Sequence, residues 1–334
     1  MLSRGLTIAE WEVQRAEKLH LLARWCGQIP ARGPVEIAEL CRTEFDTHTE
    51  LKVIYRDDTG AGIPAYLLLP RGSTTSRLPA ILAAHQCAWA CDIGKEQVVG
   101  KCAARADQAY GLELVRRGFI VLAPDANKVG ERFDPTLRQR WQTALDLGSS
   151  QHACCAAPGG SWHSGSRWKR VYDVMRAIDV LCALPQVDPS RIGMIGHSLG
   201  ADTTLWAMPF DQRISAAAIS CGGLLSFEQR GELLMGLGFA DILKLIAPRA
   251  FFESVGYEDF PNICMADLAG APLEQRMAAK RHTYEEAGAV YAAYNARERL
   301  MRYEFDGGHC FPASAREAAY AWLERWLRPA GVGV

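Results

Sequence analysis

The run Ile192-Gly193-Met194-Ile195-Gly196-His197-Ser198-Leu199-Gly200 carries the residue types of a nucleophilic serine. Gly-x-Ser-x-Gly suits a sharp strand-to-helix turn: the glycines allow close backbone approach while the hydroxyl projects from the end of a sheet. The five-residue pattern is common by composition, so its weight comes from the apolar strand before it and the helix-forming stretch after it. A serine hydroxyl is a poor nucleophile at neutral pH and needs a base within hydrogen-bond reach, oriented in turn by a carboxylate. On such a turn the partners follow in the order Ser, acid, His. Gly307-Gly308-His309-Cys310-Phe311-Pro312 offers His309 as the base. Gly256-Tyr257-Glu258-Asp259-Phe260-Pro261 presents two adjacent carboxylates; Asp259 is the first choice, Glu258 the second, and Asp267 the next if neither serves. Acyl transfer also needs N–H donors for an oxyanion. Leu199 N–H supplies one, and the loop beginning His85-Gln86-Cys87, after the third predicted strand, supplies another from Cys87 or Gln86.

The other histidines read as structural. His197 packs beside the nucleophile, and His85 closes its own loop with a buried hydrogen bond. His20 and His282 fall on solvated helical stretches, and His152 and His163 on a long insertion. Asp306 caps the His309 loop.

The elements that must position these groups follow from periodicity. Thr7 to about Trp25 has a helical stripe at Ile8, Trp11, Leu19 and Leu22. Two β-rich runs, 51–55 and 63–69, flank the Asp57-Asp58-Thr59-Gly60 turn and predict a hairpin. Strand and helix then alternate. The spacing predicts strands at 78–84, 119–123, 191–195, 214–220, 250–255 and 300–305. Helices are predicted at 108–117, stopped by Gly118, from Trp168 to Pro185, from Leu199, and at 314–327 with Ser314 as N-cap. This order implies a mostly parallel sheet covered on both faces, with the opening hairpin as its antiparallel edge. Two stretches, Lys128–Arg167 and Gly222–Ile246, interrupt the rhythm. Segments of that length in a compact domain are commonly functional, and their aromatic content predicts lid-like insertions that form much of a pocket wall.

Composition narrows the classes. The 334 residues are 49% hydrophobic and 22% charged, an ordinary globular balance. Lys+Arg 37 against Asp+Glu 38 leaves a net charge of −1, which disfavours a phosphate-tracking nucleic-acid partner. No apolar run approaches the roughly 18 residues of a membrane span, and the first residues lack the apolar core of a secretory signal. A cytoplasmic location is the expectation. On that basis the eleven cysteines are expected to be unpaired thiols. Neither Cys87/Cys91 nor Cys154/Cys155 has zinc-site spacing, so no metal is expected.

Taken together the residues resemble the acetyl-xylan-esterase-like and dienelactone-hydrolase-like branch of the α/β-hydrolase superfamily. The resemblance covers most of the chain. It is carried by Gly62-Ile63-Pro64-Ala65-Tyr66-Leu67-Leu68-Leu69-Pro70, His85-Gln86 with Ile93-Gly94-Lys95, and Arg117-Gly118-Phe119-Ile120-Val121-Leu122-Ala123-Pro124-Asp125. Further carriers are Met175-Arg176-Ala177-Ile178-Asp179, Val187-Asp188-Pro189-Ser190-Arg191-Ile192-Gly193, the serine turn, and Gly308-His309-x-Phe311-Pro312. It implies an α/β-hydrolase fold with Ser198 as nucleophile, His309 as base and Asp259 as acid. The organisation expected is a helical arm over 1–45 and a hydrolase domain over 46–334, with insertions at about 128–167 and 222–246. Trp89, Trp141, Trp162, Phe260 and Phe311 are the expected pocket residues.

The reaction expected is hydrolysis of a carboxylic ester of a small or medium-sized molecule through an acyl-enzyme. No cofactor, nucleic acid or membrane is expected, and a homo-oligomer is allowed. Acyl transfer, cleavage of an amide or C–C bond, and a catalytically silent binding module are the alternatives. The chain also departs from the branch. Dienelactone hydrolases place cysteine where Ser198 stands, and polysaccharide deacetylases are commonly exported. Cys310 follows the histidine where an acidic residue is common.

Overall fold

The structure, a computed structural model, describes residues 6–72, 77–87, 92–133, 167–222, 236–259 and 272–328. Among them the strands form one nine-stranded sheet of order β1-β2-β3-β5-β4-β6-β7-β8-β9. The strands are β1 (Ile37–Glu44), β2 (His48–Arg56), β3 (Gly62–Pro70), β4 (Leu78–Ala84), β5 (Ile120–Pro124), β6 (Val187–His197), β7 (Ile214–Ser220), β8 (Ala250–Gly256) and β9 (Leu300–Phe305). β1 to β3 are antiparallel to one another, and β3 is antiparallel to β5. From β5 onward every pairing is parallel. Parallel neighbours need crossovers, and helices supply them. The helices are α1 (Ile8–Cys26), α2 (Tyr110–Arg116), α3 (Arg167–Ala183), α4 (Leu199–Ala207), α5 (Phe239–Ile246), α6 (Leu273–Ala293) and α7 (Ala313–Leu327).

Side chains alternate across the strands and divide the core in two. Leu82, Ile192, Met194 and Ile219 face a cluster with Trp11 and Leu22 of α1, Ile178 of α3, Leu205 and Trp206 of α4, Ile242 of α5 and Tyr291 of α6. Ile81, Ile195, Ala218 and Phe252 face the other way, onto Tyr110 and Leu114 of α2 and Tyr320, Trp322 and Leu323 of α7. Both faces are thus dry, as the apolar runs of the parallel strands require. No helix among the described residues is long and apolar enough to cross a membrane.

Local chemistry sets the element ends. Thr7 caps α1 through a reciprocal box: Glu10 N–H donates to Thr7 Oγ1 at 3.3 Å and Thr7 N–H to Glu10 Oε2 at 2.9 Å. Asp57 Oδ1 accepts from the N–H groups of Thr59 and Ala61 and closes the expected hairpin turn. Gly118, at φ +85, follows α2.

Two expectations are corrected. Residues 37–44, assigned from sequence to the helical arm, form the outermost strand of the sheet. β1 is exposed along almost its whole length, so it has no buried face to imprint an alternating pattern. Ser314 lies inside the first turn of α7 and does not cap it; Pro312 holds the N-cap position without a side-chain bond.

Candidate active site

β6 delivers the chain to the carboxyl edge of the sheet, and α4 starts one residue later. Ser198 sits between them at φ +53, ψ −114, a left-handed backbone that costs a residue with a Cβ about 1–3 kcal/mol. The flanking glycines show why the turn tolerates nothing larger. A Cβ at Gly196 would lie 2.3 Å from the Gly200 carbonyl carbon, and one at Gly200 would lie 2.0 Å from the Ala84 carbonyl oxygen. The turn is therefore wedged against both its own helix and the exit of β4. Ser198 N–H donates to the Ser220 carbonyl at 3.0 Å and ties the turn to β7.

The loops after β8 and β9 are joined to each other. Tyr257 N–H donates to Phe305 O at 2.8 Å and Glu258 N–H to Gly307 O at 2.9 Å. A Cβ on Gly256 would come within 2.4 Å of the Gly308 carbonyl oxygen, so this close approach depends on glycine. The result places His309 between the two groups it must serve. Its Nε2 lies 2.9 Å from Ser198 Oγ and its Nδ1 2.8 Å from Asp259 Oδ1. Asp259 is 1% exposed and bonds the imidazole, whereas Glu258 is exposed. Phe311 is wholly buried, its ring 5.8 Å from Tyr110 and stacked 6.0 Å from His197. It packs beneath the histidine loop. His197 packs in the same cluster, 4.9 Å ring to ring from His309.

The loop after β4 is held by a buried polar platform. Ala126 N–H donates to His85 Nε2 at 2.9 Å, so the ring proton resides on Nδ1, which donates to Gln86 O at 2.7 Å. Burial lowers the His85 pKa and keeps the ring neutral, as this pattern demands. In a trans peptide the C=O and N–H point in opposite directions. Anchoring the Gln86 carbonyl therefore fixes where the Cys87 N–H points. Gln86 Nε2 donates to Gln97 Oε1 at 3.0 Å and locks the loop to the next segment. Leu199 opens α4, where N–H groups have no acceptor within the helix.

Cys87 is disulfide-bonded, with a partner outside the described residues. This corrects the expectation of unpaired thiols at that position. Pairing requires two Cβ atoms about 3.8 Å apart, a condition set by the fold and invisible in the spacing of cysteines along the chain. Cys26, Cys41, Cys102, Cys182, Cys221 and Cys310 form no disulfide.

No protein-family model matches the chain. Over 328 residues it is 25% identical to "Putative hydrolase YtaP" of Bacillus subtilis (strain 168), covering 94% of this chain and 100% of that protein. Among solved structures it superposes on Methylesterase BT1017 with a TM-score of 0.64 at 14% identity, covering 96% of this chain and 64% of that one. It thus spans less than two thirds of the methylesterase. Acetyl Xylan Esterase 1 from Thermoanaerobacterium sp. JW/SL YS485 superposes with a TM-score of 0.54 at 15% identity, covering 97% and 95%. This chain has the α/β-hydrolase fold.

Some expected site residues lie outside the described residues: Trp89, Trp141, Trp162, Phe260, Asp267, His152 and His163. Asn127 and Arg170, with Pro124, Asp125 and Asp173, line a cavity beside β4 and β5. Sequence reasoning missed the group that braces the β4 loop. Lys95 is fully buried, and its ammonium bonds Asp125 Oδ2 and Glu131 Oε1 at 2.6 Å and Glu96 Oε1 at 3.0 Å. Burial alone would lower its pKa, but the Asp125 and Glu131 carboxylates prevail and hold it above the ordinary lysine value. Gly94 and Gly130 leave room for Asp125, which a Cβ at either position would strike. Lys95 and Asp125 are visible in the sequence, but their partnership across the sheet edge is not.

Proposed function

We propose that this chain is a serine-dependent hydrolase of carboxylic esters of small or medium-sized molecules. One observation carries the reading: a single imidazole bridges a hydroxyl on a strained strand-to-helix turn and a buried carboxylate, at 2.9 and 2.8 Å. The hydroxyl is thus supplied with a base and the base with an orienting acid. Methylesterase BT1017 and Acetyl Xylan Esterase 1 share this fold and are ester hydrolases by name.

Asp259 accepts from His309 Nδ1–H and leaves Nε2 as the lone-pair nitrogen facing Ser198. As Ser198 Oγ attacks the ester carbonyl, its proton passes to Nε2, and Asp259 stabilises the imidazolium. The tetrahedral oxyanion receives N–H donors from Leu199 and from Cys87, whose peptide His85 holds; Gln86 N–H is the alternative on that loop. The imidazolium gives its proton to the departing alcohol as the intermediate collapses to an acyl-enzyme. Water, deprotonated by Nε2, then attacks the acyl carbon and releases the acid. Electrostatic stabilisation by such fixed donors is worth about 2.7–4 kcal/mol each.

A fluorophosphonate probe should label the protein at Ser198 and stop turnover of aryl and alkyl esters. Ser198→Ala should abolish both labelling and hydrolysis without changing the fold. Labelling that persists in the variant would remove Ser198 from the mechanism. A series pairing methyl esters of large acids with acetyl esters of large alcohols assigns which side of the ester the pocket accepts.

A further inference from the structure

β7 ends at Ser220, and Cys221 follows at φ +48, a left-handed backbone uncommon for a residue with a Cβ. The turn buries the thiol completely beneath the histidine loop. There Sγ lies 3.3 Å from the Cys310 carbonyl oxygen and 3.9 Å from that of Gly308, the residues flanking His309. Sγ, a carboxylate oxygen of Asp259 and a ring nitrogen of His309 all lie within 4.8 Å of one another. Asp259 Oδ1 is taken by His309, and Asp259 Oδ2 is buried with no N–H or O–H donor among the described residues, the weakly donating Cys221 thiol being the carboxylate's other neighbour. A buried carboxylate oxygen left so is costly, and a cation would satisfy it.

We propose that Cys221, Asp259 and His309 form an inhibitory site for a thiophilic divalent cation such as Zn²⁺ or Cd²⁺. Thiolate, carboxylate and imidazole are the donors that zinc takes, and around one tetrahedral zinc such donors stand about 3.3–3.8 Å apart. The three groups therefore need only a small closure onto the metal. The Cys310 carbonyl oxygen beside the thiol offers a fourth donor. The cation reaches the cluster past His309, whose side chain is 16% exposed.

The protonic balance explains why binding inhibits. A cysteine thiol, with an ordinary pKa of about 8.5, is largely protonated at neutral pH in the metal-free protein. A bound cation takes the thiolate and releases one proton to solvent. His309 binds through Nδ1, so its ring proton moves to Nε2 with no further loss. Nε2–H then donates to Ser198 Oγ and can no longer accept its proton. No redox change is involved. The inhibitory consequence rests on Ser198 being the nucleophile; the binding itself does not.

The full chain, with its Cys87 disulfide intact, is titrated with Cd²⁺ while the ultraviolet thiolate-to-cadmium band and proton release are followed. Exposed Cys41 contributes a background shared by every variant. The wild type should bind one further equivalent with release of one proton. Cys221→Ser, Cys221→Ala and His309→Gln should each lose that equivalent, and the last keeps the readout available if the buried position tolerates no change. In ester hydrolysis, scaled to each protein's own metal-free rate, Zn²⁺ should inhibit the wild type reversibly on chelation. The half-inhibiting concentration should rise at least tenfold in the Cys221 variants, because losing even an outer partner of a metal ligand costs about 10–100-fold. Identical titrations, or identical inhibition, in wild type and variants would overturn the proposal. A wild type that takes up the further equivalent but lacks Ser198-dependent turnover would support the metal site and defeat the serine reading.

Discussion

At the residue scale the two neighbouring carboxylates after β8 separate cleanly. Successive side chains on a turn diverge, and here Asp259 turns inward to His309 while Glu258 faces solvent. Asparagine at an orienting aspartate keeps the shape but favours the wrong imidazole tautomer, a change that costs about 10⁴-fold in a serine protease. Asp259→Asn should lower kcat by orders of magnitude with little change in KM or melting temperature, and Glu258→Gln should stay within a few-fold of wild type. Steady-state kinetics on one aryl ester decides between them, and the opposite ranking would move the acid to Glu258. The order Ser, acid, His was legible in the sequence because the serine turn and its fold fix it and each group follows an apolar strand. The choice between 258 and 259 needed the resemblance, since spacing treats neighbours alike. Cys221 was not legible at all. Its importance lies in a positive φ and in two loops that meet it from distant parts of the chain.

At the element scale, function depends on how closely the serine turn approaches the exit of β4. The two glycines permit that approach, and Tyr110 Oη, donating to Ala84 O at 2.5 Å, holds the strand end in place. A methyl at Gly200 would press on the Ala84 and His85 carbonyls, which are backbone and cannot rotate aside. Overpacking of this kind costs about 1–3 kcal/mol, and a displacement near 1 Å can cost about 10²-fold in rate. Gly200→Ala should therefore reduce kcat by roughly that factor while the protein still folds, as circular dichroism and kcat measured together would show. Unchanged kcat would mean the β4 loop yields without moving its N–H donor. The inner parallel strands were legible because their apolar runs are buried on both faces and bounded by turn residues. β1 was not: Ile37-Ala38-Glu39-Leu40-Cys41-Arg42-Thr43-Glu44 has no alternation, and only pairing with β2 makes it a strand.

At the scale of the whole molecule, the N-terminal helix is built into the core that carries the serine turn. Trp11 is 1% exposed and Leu22 fully buried, both in the cluster that includes α4. Trp25 stacks on Trp206 of α4 with ring centroids 4.4 Å apart and planes 16° from parallel. Lys18 reaches Asp241 of α5 at 3.0 Å. These contacts cross the boundary drawn from sequence between a helical arm and the remaining chain. Periodicity could show that α1 has an apolar stripe, but not which surface receives it. Two outcomes separate an appended arm from an integral element. If α1 were an appendage, loosening it would give an early partial transition and leave the main unfolding event in place. If it shares the core, removing one of its buried aromatics must destabilise the whole sheet. Trp→Ala in a packed core costs about 3–5 kcal/mol. Trp11→Ala should therefore move the entire denaturant transition to lower concentration, with intrinsic fluorescence and far-ultraviolet circular dichroism shifting together. Below that transition the folded fraction should retain Ser198 labelling by fluorophosphonate, because Trp25 still stacks on Trp206 and ties α1 to the helix after the serine turn. Non-coincident transitions would return α1 to the status of a separate arm.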